Sequence, residues 1–373
     1  MTRRIILAGG GHAHLAVLAD WAQRPFPETE RWLVTSTRQT AYSGMLPGWL
    51  AGIYPAGELL IDLEPLARQA GARLILSDVT GLDAAARQLT LASGETLAFD
   101  LLSLATGGEI DTATFAALGD RLLPVRPVGA FMARWTHFLT AIAGSDAPRV
   151  VVVGGGAAGV ELALAVATAL ARQFRQPQVA LVTVERGFLA GHASAVRQRA
   201  LAELAGRGVA LHYGEAVGTR HGVLLTNGTG LAADCVIAAT GSRAPRWLAA
   251  SGLACNDQGF VAVGADLRSI SHDAIFAAGD IINRADRPLE RSGVHAVKAG
   301  PVLAANLRAA ARAAPLKAYQ PRGRTLYLLA TGDRRAIGSW GGLMAAGRWV
   351  WWIKDWIDRH FVGRYTRPGE GGR

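Results

Sequence analysis

Short apolar runs, each stopped by glycine, recur along this chain and outline its fold. Arg4-Ile-Ile-Leu-Ala8 reads as a buried strand, breaks at Gly9-Gly-Gly11, and leads into an apolar helical pattern through Trp21. Further strands are predicted at Arg31-Trp-Leu-Val-Thr-Ser36, Ala72-Arg-Leu-Ile-Leu76 and Leu101-Leu-Ser-Leu-Ala-Thr-Gly107, with a hairpin-like stretch from Gln88 to Phe99. The same signals restart at Arg149-Val-Val-Val-Val153 and close at Cys235-Val-Ile-Ala-Ala-Thr-Gly241. Another strand, Ala274-Ile-Phe-Ala-Ala-Gly-Asp280, ends in an acid. The rest predicts a helix from Gly293 to Arg312, a strand pair near Thr325 to Trp340, and a Trp-rich helix from Arg348. Strands alternating with helices predict an α/β fold of two Rossmann-like dinucleotide-binding domains, the second inserted in the first. The expected divisions are 1–110 and 256–315 for the first domain, 111–255 for the second, and 316–373 for a basic C-terminal segment. Residues 108–127 and 242–264 read as crossings between the two.

The second glycine motif is the more complete. Gly154-Gly-Gly156-Ala-Ala-Gly159 follows four valines and opens a long Ala/Leu/Val helix. Gly154 permits the tight turn, Gly156 lets backbone approach a pyrophosphate, and Gly159 allows close helix–strand packing. The helix N-terminus offers unpaired N–H groups to phosphates. The next strand, Val179-Ala-Leu-Val-Thr-Val184, ends at Glu185, whose carboxylate can accept both ribose hydroxyls and disfavours a 2′-phosphate; Arg186 beside it softens that preference. In the first motif Gly9 and Gly11 are present, but His14 stands where the third glycine belongs. Its second strand ends in Ser36, not an acid, which leaves Ser36 for a ribose or Arg38 for a phosphate. Gly279-Asp280, directly after a strand, supplies an acid for the ribityl hydroxyls of a flavin, against the plainer reading of a helix N-cap before Ile281.

Composition narrows the classes. Half of the 373 residues are hydrophobic and 18% are charged, which excludes a disordered chain. Two cysteines, Cys235 and Cys255, exclude a disulfide scaffold, a C-x-x-C pair and a Cys₄ zinc site. His12, His14 and His295 have no ligand spacing, so no metal is assigned. The initial apolar run stops too early for a signal peptide, and Val150 to Ala171, charged only at Glu161, is broken by its glycines. A cytoplasmic protein without a membrane span is expected, with a peripheral position on the inner membrane face as the variant.

The formal charge of +10 is concentrated late: from Lys317 onward there are eleven Lys/Arg against four Asp/Glu, and five of the ten tryptophans. Helical spacing gathers Trp349, Trp352, Ile353, Trp356, Ile357 and Phe361 on one face, with Lys354, Asp355, Asp358 and Arg359 mostly away from it. Two readings stay open for 348–363: an apolar face lying in an anionic membrane interface, or the same face packed on the flavin domain or a second subunit. The charge is spread over loops without an RNA or DNA motif, so no nucleic-acid partner is expected.

Taken in order, Gly9-x-Gly11, Ala105-Thr-Gly107, Gly154-x-Gly156-x-x-Gly159, Ala239-Thr-Gly241 and Ala278-Gly-Asp280 resemble the motifs of the two-dinucleotide flavoproteins, the pyridine nucleotide-disulfide oxidoreductase superfamily. Three more segments are similar to one branch of it: Ala41-Tyr-Ser-Gly-Met-Leu-Pro47, Val294-His-Ala-Val-Lys-Ala-Gly-Pro301, and Thr331-Gly-Asp-Arg-Arg335 followed by Trp356-Ile-Asp-Arg359. That branch resembles type II NADH dehydrogenases and is often fused to, or encoded beside, selenophosphate synthetase, which implies a functional link to that enzyme. The resemblance implies FAD and NAD(P)H as cofactors. It implies Gly9 and Gly11 at the FAD pyrophosphate, Asp280 at the ribityl chain, Thr106 and Gly107 along the FAD, and Gly241 beside the NAD. Backbone of Ser43, Gly44, Met45 and Leu46, and of Val294, His295 and Ala296, would border the isoalloxazine, and Glu161 would sit where nicotinamide meets flavin. The sequence departs from the wider pattern in lacking a redox-active Cys pair, and a glutamine pair that borders quinone in type II dehydrogenases corresponds to Lys298-Ala299.

The expected chemistry passes hydride from nicotinamide C4 to flavin N5, then electrons to a quinone or another small acceptor. Lys298, early in the helix after Asp280, is the candidate cation beside flavin N1, against the plainer reading of a solvated lysine. Three alternatives remain. One is a non-turnover flavin- and nucleotide-bound companion or sensor in selenium metabolism. Another is a peripheral scaffold with a vestigial site, which Ser36 and His14 favour. The last is a sulfide- or polysulfide-using enzyme, which Cys235 in an apolar strand opposes.

Overall fold

In the computed structural model, which describes residues 2–366 apart from Pro27, Pro288, Glu290 and Arg322, the apolar runs become the central strands of two parallel sheets. The first unit contains β1 (Arg3–Ala8), α1 (His12–Gln23), β2 (Thr29–Thr35), β3 (Arg73–Leu76) and β4 (Leu101–Leu104). The second contains β5 (Leu122–Pro124), α2 (Val128–Ala141), β6 (Arg149–Val153), α3 (Ala157–Ala171), β7 (Gln178–Thr183), α4 (Ser194–Gly206), β8 (Val209–Tyr213) and β9 (Cys235–Ala238). Next come β10 (Ile275–Ala277) and α5 (Gly293–Ala311). The chain then runs through β11 (Leu326–Ala330), β12 (Ala336–Trp340), β13 (Leu343–Gly347) and α6 (Arg348–Thr366).

Strand order is β10-β4-β1-β2-β3 in the first sheet and β5-β9-β6-β7-β8 in the second, with every pairing parallel. Since β10 returns to the first sheet after the second is complete, the second unit is an insertion in the first. Both sheets are covered on two faces, which explains their unbroken apolar strands: Ile5 to Ala8 and Cys235 to Ala238 are fully buried. In each sheet the glycine-ended strand is central, with the chain departing to one side through its helix and returning on the other. That arrangement opens a crevice at the carboxyl ends of the strands. Each unit also carries a three-stranded antiparallel sheet, at 79–98 and at 216–232. The two crossings pair with each other antiparallel, Glu109 opposite Arg243 and Ile110 opposite Ser242.

The C-terminal segment forms a three-stranded antiparallel sheet, β11-β12-β13, rather than the expected pair, and α6 packs on it. β13 is rich in Gly and Ala and carries no alternating pattern, which hides it in the sequence. This layer bridges both units. The Tyr54 hydroxyl donates to Asp355 at 2.6 Å and Arg359 pairs with Glu58 at 2.6 Å, tying α6 to the first unit. Arg207 of the second unit pairs with Asp333 at 2.7 Å. No helix among the described residues is long and apolar enough to cross a membrane.

α5 lies against α1 across Gly300, where an added Cβ would come within 2.7 Å of the Ala16 methyl and 3.0 Å of the Ala13 carbonyl. Gly300→Val is expected to cost about 2 kcal/mol in urea unfolding, because neither helix can yield without moving the turn at its end. An unchanged midpoint would show that the contact is soft.

Candidate active site at the paired glycine turns

Both glycine turns are built on the same close contact. Gly9 has φ +98°, and a Cβ there would lie 2.5 Å from the carbonyl oxygen of Ala105; one on Gly11 would lie 2.4 Å from it. In the second unit Gly154 has φ +128°, with Ala239 carbonyl oxygen 2.3 Å from its Cβ position. Gly159 packs on the Gly154 carbonyl at 1.8 Å by the same measure. Only glycine fits such approaches. The two Ala-Thr-Gly strand ends are therefore the walls against which the turns fold. By contrast Gly107, Gly156 and Gly241 have open space where a side chain would stand. Glu185 is exposed in the turn after β7.

His14 plays a part that the motif comparison missed. Its ring is fully buried, with Nδ1 2.7 Å from the Gly9 carbonyl oxygen and Nε2 2.8 Å from Ser103 Oγ. A carbonyl only accepts, so Nδ1 carries the proton and Nε2 accepts from the Ser103 hydroxyl. Burial holds the ring's pKa down to about 4, which keeps it neutral. The expected cofactor contact of His14 is corrected accordingly: both ring nitrogens are spent inside the protein, and the side chain braces the turn from beneath. Ser36 is exposed just beyond β2, and Arg38 is paired with Glu64 at 2.7 Å.

Asp280 lies in an open cleft beside the N-terminus of α5, lined also by Gly279, Arg291, Ser292, His295 and Tyr319. Oδ2 of Asp280 pairs with Arg126 at 2.5 Å, while Oδ1 is buried without a hydrogen-bond partner. Gly279, at φ +82°, lets the chain turn here. Asp280 and Arg126 both act electrostatically on His12, the first residue of α1. The Cβ position of Gly293 lies 3.5 Å from Ser43 Oγ and 3.8 Å from His12 Nδ1. The first glycine turn, the Ser43 turn, Asp280 and the start of α5, which carries Val294, His295 and Ala296, thus surround one groove. Met45 and Leu46 turn their side chains into the core, so only their backbone is available to a ligand. Arg126 had no motif to announce it; it stands in a crossing before Pro127.

The second convergence is a charged cluster under α6. Lys354 is 6% exposed and donates to the Gly44 carbonyl and to Asp358 Oδ2, both at 2.7 Å. Asp358 is 4% exposed and also accepts from the Tyr42 hydroxyl. Glu161, one turn into α3, accepts from the Ala330 amide at 2.7 Å and feels both Lys354 and Asp358. Burial raises its pKa to about 7, with Lys354 and the Ala330 N–H opposing and Asp358 adding to the rise. Burial also lifts the Asp358 carboxyl and drives the Tyr42 hydroxyl well above its ordinary value. Phe361 closes the cluster, 4.4 Å from the Tyr42 ring and 5.8 Å from that of His12.

Lys298 is exposed and makes no hydrogen bond among the described residues, which matches the plainer reading of a solvated lysine; the buried lysine is Lys354. Of the two readings left open for α6, packing of its apolar stripe on the first unit does not hold. Trp349, Trp352 and Trp356 are 54%, 63% and 66% exposed, with Ile353 and Ile357 beside them, and only Phe361 of the expected face is buried. The helix does pack on the first unit, but through Trp351, Lys354 and Asp358.

The profile of the pyridine nucleotide-disulphide oxidoreductase family matches residues 3–301. The chain belongs to that family. An NADH dehydrogenase-like protein of Mycobacterium tuberculosis is 30% identical over 234 residues, 59% of this chain and 58% of the relative. The chain thus spans less than two thirds of that relative's length. Ferroptosis suppressor protein 1 of Homo sapiens is 28% identical over 281 residues, 71% of this chain and 70% of its own. Among solved structures, the sulfide:quinone oxidoreductase of Aquifex aeolicus has a TM-score of 0.81 at 16% identity, covering 98% of this chain and 92% of that one. NDH2 of Plasmodium falciparum in complex with NADH has a TM-score of 0.78 at 12% identity, covering 99% of each. At such identities the likeness is one of fold.

FAD and NAD(P)H are the cofactors of this family, and the residues present fit them. The orphaned, buried Asp280 Oδ1 suits a ribityl hydroxyl donor, and the open sides of Gly107, Gly156 and Gly241 admit close approach to backbone. Cys235 is fully buried and burial pushes its thiol up; Cys255 is half-buried and raised by the same cause.

Lys354→Met removes the donor to a buried carboxylate and carbonyl and should cost about 3 kcal/mol in denaturant unfolding. Lys298→Ala should stay within about 0.5 kcal/mol of the parent; equal effects would reject the assignment. For Glu161 the folded protein favours the neutral acid. The parent therefore loses stability as pH rises through about 7, whereas Glu161→Gln does not. The stability of Glu161→Gln relative to the parent should grow by roughly 2–3 kcal/mol between ~pH 5 and ~pH 8. A difference that stays flat with pH would place the carboxyl in ordinary surroundings.

Proposed function

We propose that the protein is an FAD-dependent NAD(P)H oxidoreductase that delivers electrons to a quinone held at a membrane surface. The observation that carries this reading is the Glu161–Lys354–Gly44 cluster. It brings the helix of the second glycine turn, the turn expected to border a flavin, and the C-terminal helix to one point. When bound, the flavin supplies a two-electron acceptor for hydride and a donor to the final acceptor.

The chain's own residues would do the following. The turns at Gly9–Gly11 and Gly154–Gly159 hold the two pyrophosphates at the N-termini of α1 and α3. Asp280, paired with Arg126, accepts from the ribityl hydroxyls, and Glu185 from the adenosine ribose of NAD, which favours NADH over NADPH. Lys354 fixes the Gly44 carbonyl and sets a positive charge beside the redox centre, the part first expected of Lys298. Glu161, with a pKa of about 7, holds a proton at its carboxyl near neutral pH, where an acceptor taking up two electrons needs one.

A lipid-soluble acceptor agrees with the outward indoles of α6, which suit the depth of lipid headgroups, and with the +7 balance of the C-terminal segment. The Aquifex protein that shares this fold is a sulfide:quinone oxidoreductase, and that supports the same acceptor class here. The test is an anaerobic titration of the purified yellow protein. NADH should bleach the flavin absorbance more readily than NADPH, and a short-chain ubiquinone should restore it over repeated cycles. Failure of both nucleotides to bleach would end the oxidoreductase reading; bleaching without recovery on any quinone would end the acceptor assignment alone.

A further inference from the structure

Along one flank of α6, beside the buried Trp351, a second and open cleft is lined by Ile53, Arg334, Arg348, Trp352, Asp355 and Arg359 as well. Its charges are unequally committed. Asp355 accepts from the Tyr54 hydroxyl and from Arg359, and Arg359 also pairs with Glu58. Arg334 and Arg348 have no ion-pair partner among the described residues. Two uncommitted guanidinium groups therefore share one concavity, whose only carboxylate among the described residues is already paired with Arg359.

The turn that carries Arg334 is held firmly. Thr331 donates to Asp333 at 2.6 Å, and Asp333 is fixed by Arg207 at 2.7 Å. Arg334 itself sits at φ +59°, a conformation that side-chain-bearing residues avoid unless their surroundings impose it. The backbone that carries Arg334 is thus fixed at the edge of the cleft.

We propose that this cleft binds the phosphate of an anionic phospholipid headgroup. Planar guanidinium forks match phosphate geometry, and two of them can satisfy several of its oxygens. Among the described residues the lining has guanidinium and indole but no hydroxyl or amide side chain, and its carboxylate is already paired, which argues against the ribose of a soluble nucleotide. The surroundings point to lipid: Trp352 lines the cleft, Trp349, Ile353 and Trp356 are exposed on the same helix, and Leu343 and Met344 are exposed in the hairpin before it. Indoles and arginines at one level match the headgroup region of a bilayer. The inference rests on the membrane-docking part of the proposed function and adds to it a defined site with a charge preference. Because the cleft and Lys354 share α6, a seated headgroup would also steady the helix that holds the Gly44 carbonyl.

The full-length protein is sedimented with vesicles of phosphatidylcholine alone and of phosphatidylcholine with added phosphatidylglycerol. The parent should bind the first weakly and the second more tightly. Arg334→Gln with Arg348→Gln should lose about thirtyfold of the gain from phosphatidylglycerol, at roughly 1 kcal/mol per cation, and keep its binding to phosphatidylcholine. Arg324→Gln with Arg364→Gln removes the same charge from exposed positions outside the cleft and should lose far less. Equal losses in the two double variants would mean diffuse attraction and overturn the site, as would an undiminished gain in the first. Release of the parent by inorganic phosphate, beyond that by chloride at matched ionic strength, would make the ligand a free anion and overturn the lipid assignment. Trp352→Glu with Trp356→Glu separates the two levels. If it abolishes binding to phosphatidylcholine while the arginine variant abolishes only the charge preference, both stand. If it changes nothing while the arginine effect persists, the indole docking falls and the cleft stands. A parent that stays in the supernatant with both vesicles loses both.

Discussion

A lysine ammonium taken out of water ties three parts of this molecule together. Lys354 gives up hydration and recovers it from the Gly44 carbonyl of the first unit and from Asp358 on its own helix. Glu161 of the second unit lies within its field. Such a group is expensive unless every partner is in place, so the position of α6, the Ser43 turn and the start of α3 are mutually conditional. Remove one, and the others are left with a buried charge that has nowhere to go. This constraint, more than apolar packing alone, fixes how the C-terminal layer sits over the groove. It also explains a helix that buries ionic residues while leaving three indoles in solvent.

The dinucleotide architecture was legible in the sequence because its requirements are local. A turn that must pass within touching distance of an Ala carbonyl needs glycine, and the residues at 9, 11, 154 and 159 say so without any knowledge of the rest. The acid after β10 was legible for the same reason, standing at the end of an apolar run. Lys354 was not, since periodicity on α6 marks the stripe of tryptophans and isoleucines, and a stripe is ordinarily what faces inward. Here the inward surface sets Lys354 and Asp358 among Val350, Trp351, Phe361, Val362 and Tyr365, a choice made with Tyr42, Gly44 and Glu161, which are remote in sequence. Lys298 attracted notice because it is one of few lysines and follows the acid, yet spacing along α5 does not reveal which side meets solvent.

His14 shows how a departure from a motif can be a replacement rather than a loss. The third glycine of such a turn lets a helix approach its strand closely. In the first unit an imidazole is accommodated instead, reaching from the Gly9 carbonyl to Ser103 on β4. The turn is then held by two hydrogen bonds where the second unit holds its own by contact at Gly159. Read as sequence, the substitution counts against a functional site. Seen with its partners, it supplies a rigid floor that a vestigial turn would have no reason to keep.

The inserted unit is fastened in two separate places. The strands that lead into and out of it run side by side at Glu109 and Arg243, and the C-terminal sheet grips it again through Arg207 and Asp333. A body secured at one seam can swing like a door; one secured at two cannot rotate about either without tearing the other. Any rotation of the inserted unit about one seam therefore has to disturb the other as well.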